Sequence, residues 1–327
     1  DGNDSLDDDR CRSDWHFFRL GGASTELPLG DCRFGNHGTR PHCPVLRCAV
    51  SPKPASLDSR DGERMTNIMT GRGVVVERDG RMALRASDFT VPAAAITAII
   101  GPNGSGKSTL LHAMTGLLPL SEGTLEVGGR SPAESRNDVA YVLQHMNVSP
   151  GTPMTVREVV TMGRYAAVGP FRRLAESDKQ AVQDAMELLR IDDLADRQVS
   201  RLSGGQRQRV FVAQALAQDH TVLLMDEPLT GLDIQSAQTI DGIIHDEPAR
   251  GCSVVFTTHD LEEARAADHV ILVSGYVVAS GPPEHALSKD NLATAYGLGL
   301  LHPGHTREGG IIDDAHDTTH HHREGGA

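Results

Sequence analysis

Short apolar runs alternate with helical stretches along the chain from about Gly73 onward. The runs are VVV at 74–76, ITAII at 96–100, TVLLM at 221–225, SVVFTT at 253–258 and HVILV at 269–273. Their length and their β-branched residues are typical of buried strands. Strands that alternate with helices predict an α/β fold, in which a mostly parallel sheet is surrounded by helices.

The segment AESDKQAVQDAMELL at 175–189 has helical rather than strand periodicity. Its apolar side chains share one helical face, which we interpret as a packing face: Ala181, Val182, Ala185, Met186, Leu188 and Leu189. A helix that presents such a face is expected to cover part of the core.

Both ends of the chain lack this periodicity. Residues 1–64 contain clusters of Asp, Arg, Gly and Pro, and we predict a disordered leader, with the biological protein beginning near Met65. Four of the five cysteines lie in that leader, at spacings that match no pattern of paired zinc ligands: Cys11, Cys32, Cys43 and Cys48. Residues 300–327 are rich in His, Asp and Gly, and we predict a flexible tail that is either solvated and functionless or a weak metal-binding segment.

Charge and hydropathy argue against two functions, which are binding to nucleic acid and crossing a membrane. The formal net charge of −13 opposes non-specific binding to nucleic acid. The apolar runs are far shorter than the stretch that crosses a bilayer, so we expect no membrane span within this chain.

A phosphate-binding loop is predicted where the run at 96–100 ends. Residues 101–109 read GPNGSGKST and match the pattern G-x-x-x-x-G-K-[ST] between a strand and a helix. In this pattern backbone N–H groups and the helix N-terminus bind phosphate oxygens, the lysine contacts the β- and γ-phosphates, and the serine binds Mg²⁺. The predicted ATP-binding residues of the loop are Gly101, Pro102, Asn103, Gly104, Ser105, Gly106, Lys107, Ser108 and Thr109.

Two carboxylates follow the run at 221–225. We expect Asp226 to hold Mg²⁺ and Glu227 to polarise the water that attacks the γ-phosphate, because this chemistry depends on positioning and electrostatics. A second Asp-Glu-Pro at 246–248 has no apolar strand before it, and we interpret it as a coincidence in a loop.

A histidine ends the next buried run. Because His259 follows a strand that is expected to lie beside the one carrying Glu227, we predict that it lies close to the γ-phosphate. Asp260 and Glu263 then have the spacing of a capping box at the start of a helix.

Residues 201–210 read RLSGGQRQRV. Together with Lys107, the pair Asp226-Glu227 and His259, this segment resembles the ATP-binding cassette (ABC) ATPases over about Gly73 to Gly297. The resemblance implies a P-loop NTPase (RecA-like) domain over 70–299, with a parallel sheet core, an antiparallel β subdomain and an α-helical signature subdomain. It also implies ATP and Mg²⁺ as cofactors, and ATP hydrolysis.

The resemblance assigns further roles to single residues. The signature residues would contact ATP bound to the other subunit of a head-to-tail dimer: Leu202, Ser203, Gly204, Gly205 and Gln206. Gln144 would sense Mg²⁺ and the attacking water, Asp233 would signal across the dimer, and His259 would contact the γ-phosphate.

The chain departs from the family pattern in three places, one of which is Gln214, where family members usually carry arginine on the signature helix. Many members place an aromatic residue against the adenine where this chain has Arg78, whose planar guanidinium can stack on a base. Loose discrimination between ATP and GTP is therefore expected. The glycine that is common before the run at 96–100 is replaced by the alanines at 93–95.

Two classes of ABC protein compete, a transporter subunit and a soluble ATPase of DNA repair, chromosome structure or translation. The short interval between Lys107 and Ser203 leaves no room for a long coiled coil, and the negative charge opposes nucleic acid, so we favour the transporter. The ATPase, as a homodimer or paired subunits, would then lie at the cytoplasmic face of the membrane. Its partners would be a separate permease and an extracytoplasmic substrate-binding protein.

The cargo is predicted from resemblance alone. Residues 155–182 and 290–297 are similar to the ATPases of bacterial zinc/manganese importers. Siderophore and haem importers have a related stretch and remain the alternative.

Overall fold

A computed structural model of the chain describes residues 66–78, 80–144, 153–169 and 173–297. The predicted leader with its four cysteines and the predicted tail lie outside the described residues.

The strands are β1 (Asn67–Arg78), β2 (Arg81–Pro92), β3 (Ile96–Ile100), β4 (Glu122–Val127), β5 (Val139–Val142), β6 (Val222–Met225), β7 (Ser253–Thr258), β8 (His269–Val273) and β9 (Val277–Gly281). The α-helices are α1 (Lys107–Met114), α2 (Val156–Met162), α3 (Tyr165–Val168), α4 (Glu176–Leu188), α5 (Gly204–Leu216), α6 (Ile234–Asp246), α7 (Leu261–Ala266), α8 (Pro283–Ala286) and α9 (Lys289–Tyr296). Single 3-10 turns lie at Arg136–Asp138, Asp192–Leu194, Val199–Arg201 and Pro248–Arg250.

The larger of the two sheets that the described residues form confirms the predicted parallel core. Its strand order is β5-β6-β7-β3-β8-β9, and every neighbouring pair is parallel except β8 and β9. The smaller sheet is antiparallel, in the order β2-β1-β4. The run at 74–76 lies in this smaller sheet, which confirms the antiparallel β subdomain that the family resemblance implied. A three-residue run carries no information about strand direction, which depends on the partner strand.

The parallel sheet separates two hydrophobic layers. Alternate side chains of one strand point to opposite faces, so Leu223 and Met225 belong to one cluster and Val222 and Leu224 to the other. The first layer contains side chains from α2, α4, α5 and α6, and the second contains α1 and the antiparallel sheet. The P-loop helix α1, which follows the phosphate-binding loop, and the signature helix α5, which begins at the signature residues, thus lie on opposite faces of the parallel sheet.

A buried ion cluster holds the helices of the first layer together. The Arg164 guanidinium, which is 8% exposed, donates to Asp178 Oδ1 at 2.8 Å and to Asp219 Oδ1 at 3.0 Å. It also donates to the Ala217 carbonyl at 2.8 Å, at the end of α5. Burial raises the pKa of Asp178, but hydrogen bonds from Ala175 N–H and Arg164 outweigh burial and hold that pKa below its ordinary value. The cluster therefore ties the start of α4 to the end of α5.

Two local predictions are corrected by the helix ends. Asp260 caps α7 by accepting from Glu262 N–H, but the Glu263 carboxylate accepts from the Thr258 hydroxyl at 2.6 Å, so no capping box forms. The second Asp-Glu-Pro is not a loop, because Asp246 ends α6 and Pro248 begins a 3-10 turn. Glu247 between them is only 2% exposed.

Among the described helices, none combines the length and the apolar character that a bilayer crossing demands.

The turn between β2 and β3 contains a strained residue. Ala94 has φ of 50°, in the left-handed region that glycine adopts freely. Its N–H donates to Ser253 Oγ at 2.8 Å, which holds the turn against the start of β7. The replacement of glycine by alanine at this site therefore costs conformational energy in the folded state.

Replacing Ala94 by glycine is expected to raise the free energy of unfolding by about 0.5–1 kcal/mol. Relief of left-handed strain, about 1–2 kcal/mol, exceeds the entropy that glycine adds to the unfolded chain. Urea unfolding of Ala94→Gly measures the change. Ala95→Gly is the matched control and is expected to destabilise, because Ala95 does not have a positive φ. Equal or lower stability of Ala94→Gly would contradict the strain.

Candidate nucleotide-binding and hydrolysis site

The loop between β3 and α1 is shaped by positions that only glycine can occupy. A Cβ atom on Gly101 would lie 2.0 Å from the Val273 carbonyl oxygen. At Gly106 φ is 102°, and a Cβ atom would lie 2.9 Å from the Ala83 carbonyl oxygen. The loop is therefore packed tightly against β8 and β2, and α1 begins directly after it at Lys107.

Lys107 is folded over this loop. It is only 6% exposed, and its Nζ donates to the carbonyls of Gly101 at 2.9 Å and Pro102 at 3.2 Å. Burial lowers the pKa of Lys107, while the charges of Glu227 and Asp226 oppose the shift. The buried Ser105 Oγ has no hydrogen-bond partner among the described atoms, which leaves a donor for a ligand in the loop.

Asp226 and Glu227 follow β6, and a threonine of the neighbouring strand joins them. Thr257 Oγ1 donates to Asp226 Oδ1 at 2.5 Å and accepts from Glu227 N–H at 2.8 Å. Thr257 is fully buried at the end of β7. Sequence reasoning missed this residue, and the only available signal was a polar residue inside a buried run.

Glu227 has an unusual backbone. Its φ of 45° lies in the left-handed region, which costs a residue with a Cβ on the order of 1–3 kcal/mol and is typical of functional sites. Gln144 Nε2 donates to Glu227 Oε2 at 2.7 Å, and His259 Nδ1 lies 4.0 Å from the same oxygen. Three residues predicted separately, Gln144, Glu227 and His259, thus converge at the carboxyl ends of three adjacent strands.

The signature residues begin α5. Ser203 Oγ accepts from Gln206 N–H at 3.2 Å, and Gln206 Oε1 accepts from Ser203 N–H at 3.1 Å, which is a complete capping box. Leu202 is buried in the first hydrophobic layer. Gly204 is exposed, and the structure places no atom close to the position of a Cβ.

Asp233 lies beside this helix start within the same chain. A Cβ atom on Gly205 would lie 2.3 Å from Asp233 Oδ2, so only glycine is accommodated there. Asp233 caps α6 by accepting from Ser236 N–H at 2.9 Å and from its hydroxyl at 2.8 Å. Those hydrogen bonds hold the pKa of Asp233 below its ordinary value. The signature helix and Asp233 are therefore mechanically connected.

The signature helix and the P-loop helix have different neighbours. α5 packs against α2, α4 and α6, whereas α1 packs against β1 and β2. Because the sheet separates the two helices, the chain brings Lys107, Asp226, Glu227, Gln144 and His259 together but does not add the start of α5 to them. Arg78 is exposed at the end of β1. Burial lowers the pKa of His112 in α1, and the nearby charge of Arg78 lowers it further.

The comparisons with known proteins place the chain in one family. The family described as ABC transporter matches residues 84–230. The chain is 40% identical to the zinc transport system ATP-binding protein TroB of Treponema pallidum, over 72% of this chain and 88% of that protein. It is 37% identical to the manganese transport system ATP-binding protein MntA of Synechocystis sp., over 68% and 87%. It is also 37% identical to YfeB of Yersinia pestis, named a chelated iron transport system membrane protein, over 70% and 78%.

Solved structures of ATP-binding cassettes share the fold. One, in its ADP conformation, has a TM-score of 0.61 and 26% identity, and covers 71% of this chain and 99% of that chain. Another, free of nucleotide, has a TM-score of 0.60 and 26% identity, and covers 70% and 98%. The chain has the phosphate loop, the paired carboxylates and the capped signature helix that its similarities to these proteins predict. It therefore belongs to the ATP-binding subunits of the ABC transporter family and is an ATPase.

Proposed function

We propose that this chain hydrolyses ATP to drive the import of a transition-metal ion of the zinc or manganese type through a separate permease. The hydrogen bond from Gln144 to Glu227 is the observation that supports the catalytic part, because it joins the proposed sensor of Mg²⁺ and the attacking water to the proposed general base. The metal cargo is supported by the relatives named for zinc and manganese transport.

The residues around Asp226 suit Mg²⁺, which prefers oxygen ligands. The Thr257 hydroxyl donates to Asp226 Oδ1, so Asp226 Oδ2 can bind a cation. Gln144 donates to Glu227 through Nε2, so Gln144 Oε1 can also bind a cation. With the Ser108 hydroxyl these atoms would supply the hard oxygen donors that hold Mg²⁺. Bound Mg²⁺ would neutralise charge on the β- and γ-phosphates.

The remaining groups bind and orient the reactants. Lys107 exchanges its bonds to Gly101 and Pro102 for phosphate oxygens, and Glu227 holds the attacking water and accepts its proton. The His259 side chain is 59% exposed and contacts the γ-phosphate. It also lies close to Glu227, so its position responds when the γ-phosphate is released.

The site is completed by a second ATPase subunit in a head-to-tail dimer. Ser203 and the glycines at 204–205 start a helix that is separated from Lys107 by the sheet of its own chain. A helix start supplies N–H groups and partial positive charge to an anion. In a homodimer each helix start would therefore contact the ATP bound to the other subunit. Asp233, which packs on Gly205, would transmit the resulting conformational change across the dimer.

The transporter assembly follows from this role. The permease would span the membrane, the ATPase would lie peripherally on its cytoplasmic side, and an extracytoplasmic binding protein would deliver the metal. Chelated-iron import is the second candidate, favoured by the relative from Yersinia pestis.

Replacing Glu227 by glutamine is expected to lower the ATP hydrolysis rate about 10²–10⁴-fold, because the general base is lost while the contact with Gln144 can be kept. The variant should accumulate as an ATP-bound dimer, which light scattering on a sizing column detects. Glu262→Gln, at an exposed carboxylate that pairs with Arg265, is the control and should hydrolyse ATP normally. Hydrolysis by Glu227→Gln at the wild-type rate would refute the assignment.

Cells that carry only the Glu227→Gln chain are expected to lose uptake of radioactive zinc or manganese. Retained uptake of both metals, with loss of chelated-iron uptake, would favour the second candidate.

Replacing Thr257 by valine is expected to lower kcat for ATP about 10–100-fold with little change in KM, because Asp226 and Glu227 lose their shared hydroxyl. Thr257→Ser retains the hydroxyl and should restore most of the rate. A valine variant that is folded and fully active would show that the hydroxyl does not position the carboxylates.

Selectivity for the base is expected to be weak. With Arg78 in the place of an aromatic residue, the ratio of kcat/KM for ATP and GTP should stay below about a hundredfold, or 2.7 kcal/mol. Arg78→Tyr should tighten nucleotide binding, since a ring stacks on adenine. A preference for ATP above a hundredfold in the unsubstituted chain would contradict this expectation.

A further inference from the structure

A second group of potential metal ligands lies at the amino-terminal ends of the parallel strands, opposite the phosphate site. His220 stands two residues before β6, Glu247 follows α6, and Cys252 precedes β7. One donor atom from each, a ring nitrogen, a carboxylate oxygen and the sulfur, lies within 4.8 Å of the others. The three residues come from separate parts of the chain, and neither the phosphate site nor its chemistry involves them.

The histidine in this cluster is held in one tautomer. His220 Nδ1 lies 2.8 Å from the Gln218 carbonyl oxygen, and a carbonyl can only accept, so Nδ1 carries the proton. In a neutral ring the lone pair then lies on Nε2. A ring nitrogen held by a backbone carbonyl on its far side is the arrangement typical of metal-binding histidines.

That lone pair faces a carboxylate. His220 Nε2 lies 3.3 Å from Glu247 Oε2, and the two side chains are only 6% and 2% exposed. Arg250 holds the other oxygen, Oε1, at 2.7 Å and so leaves Oε2 directed at the histidine. Two lone pairs at this distance repel unless a cation lies between them, and that cation is either a proton on the ring or a metal ion.

The separation of the nitrogen and oxygen donors suits a tetrahedral ion. Zinc binds nitrogen and oxygen at about 2.0–2.1 Å, so two such ligands at the tetrahedral angle lie roughly 3.3 Å apart. The observed separation of Nε2 and Oε2 is the same. Cys252 completes a mixed nitrogen, oxygen and sulfur set, which favours zinc over magnesium or calcium. Cys252 is partly exposed, which provides a path for entry.

We propose that His220 Nε2, Glu247 Oε2 and Cys252 Sγ form a binding site for a divalent cation of the zinc class at the amino-terminal ends of β6 and β7. Water would fill the fourth position. The bound ion would tie the end of α6 to the two strands whose other ends carry Asp226 and Thr257. The site stands independently of the cargo that is proposed for the transporter.

Binding must displace a proton from the thiol. Cys252 Sγ donates to the His220 carbonyl at 3.4 Å. Burial, with the charge of Glu247, raises the pKa of Cys252 to about 12. Because a thiol binds a metal ion as the thiolate, uptake of the ion must release this proton.

The test uses the full-length chain with Cys11, Cys32, Cys43 and Cys48 replaced by serine. Cys252 is then the only thiol, since the chain has five cysteines. Cobalt(II) is the probe, because a cobalt–thiolate bond gives an intense charge-transfer band that histidine and aspartate ligands of the tail cannot give. We expect a band that saturates at one cobalt ion per chain and disappears when zinc is added.

The decisive comparison is between two histidines. His220→Gln is expected to weaken cobalt binding, followed by this band, at least about tenfold. His245→Gln, at a half-exposed position on α6, is the matched control and should leave the affinity unchanged. Zinc should also slow alkylation of Cys252 at least tenfold in the control and not in His220→Gln, while both retain ATPase activity. The absence of a thiolate band, or an equal band in His220→Gln, would overturn the proposal.

Discussion

The hydroxyl of Thr257 is the contact on which the proposed catalytic arrangement depends. It joins the ends of two adjacent parallel strands, by donating to the Asp226 carboxylate and accepting the N–H of Glu227. The second bond holds Glu227 in a left-handed conformation that directs its carboxylate toward Gln144. Strain of this kind persists only where neighbouring contacts over-determine it, and buried pairing of β6 with β7 supplies those contacts.

The same sheet is the reason why we propose that the site is shared between subunits. Parallel strands are buried on both faces, so helices must cover both, and alternate side chains of each strand enter different layers. The P-loop helix covers one face and the signature helix the other. In a chain folded in this way the sheet lies between the phosphate loop's helix and the chain's own signature helix. The proposed dependence on a dimer thus follows from how the layers are packed.

The two edges of the sheet have different chemistry. The carboxyl ends of the strands present hard oxygen donors and a lysine, which suit Mg²⁺ and phosphate. The amino ends present a histidine, a carboxylate and a thiol, which suit a softer cation. Because the strands that join the two edges are short and fully buried, whatever stabilises one edge also fixes the strands that position the other.

The sequence by itself determined the phosphate loop, the paired carboxylates and the signature helix, because each is a local motif whose residues are close together in the chain. It also determined the alternation of buried strands and helices. Tertiary structure decided the rest. Only strand pairing assigns the run at 74–76 to the antiparallel sheet, brings Thr257 to Asp226, and packs Gly205 on Asp233. Only folding gathers His220, Glu247 and Cys252. These contacts join residues distant in sequence, and no local pattern of polarity specifies which distant strand or helix end will be the neighbour.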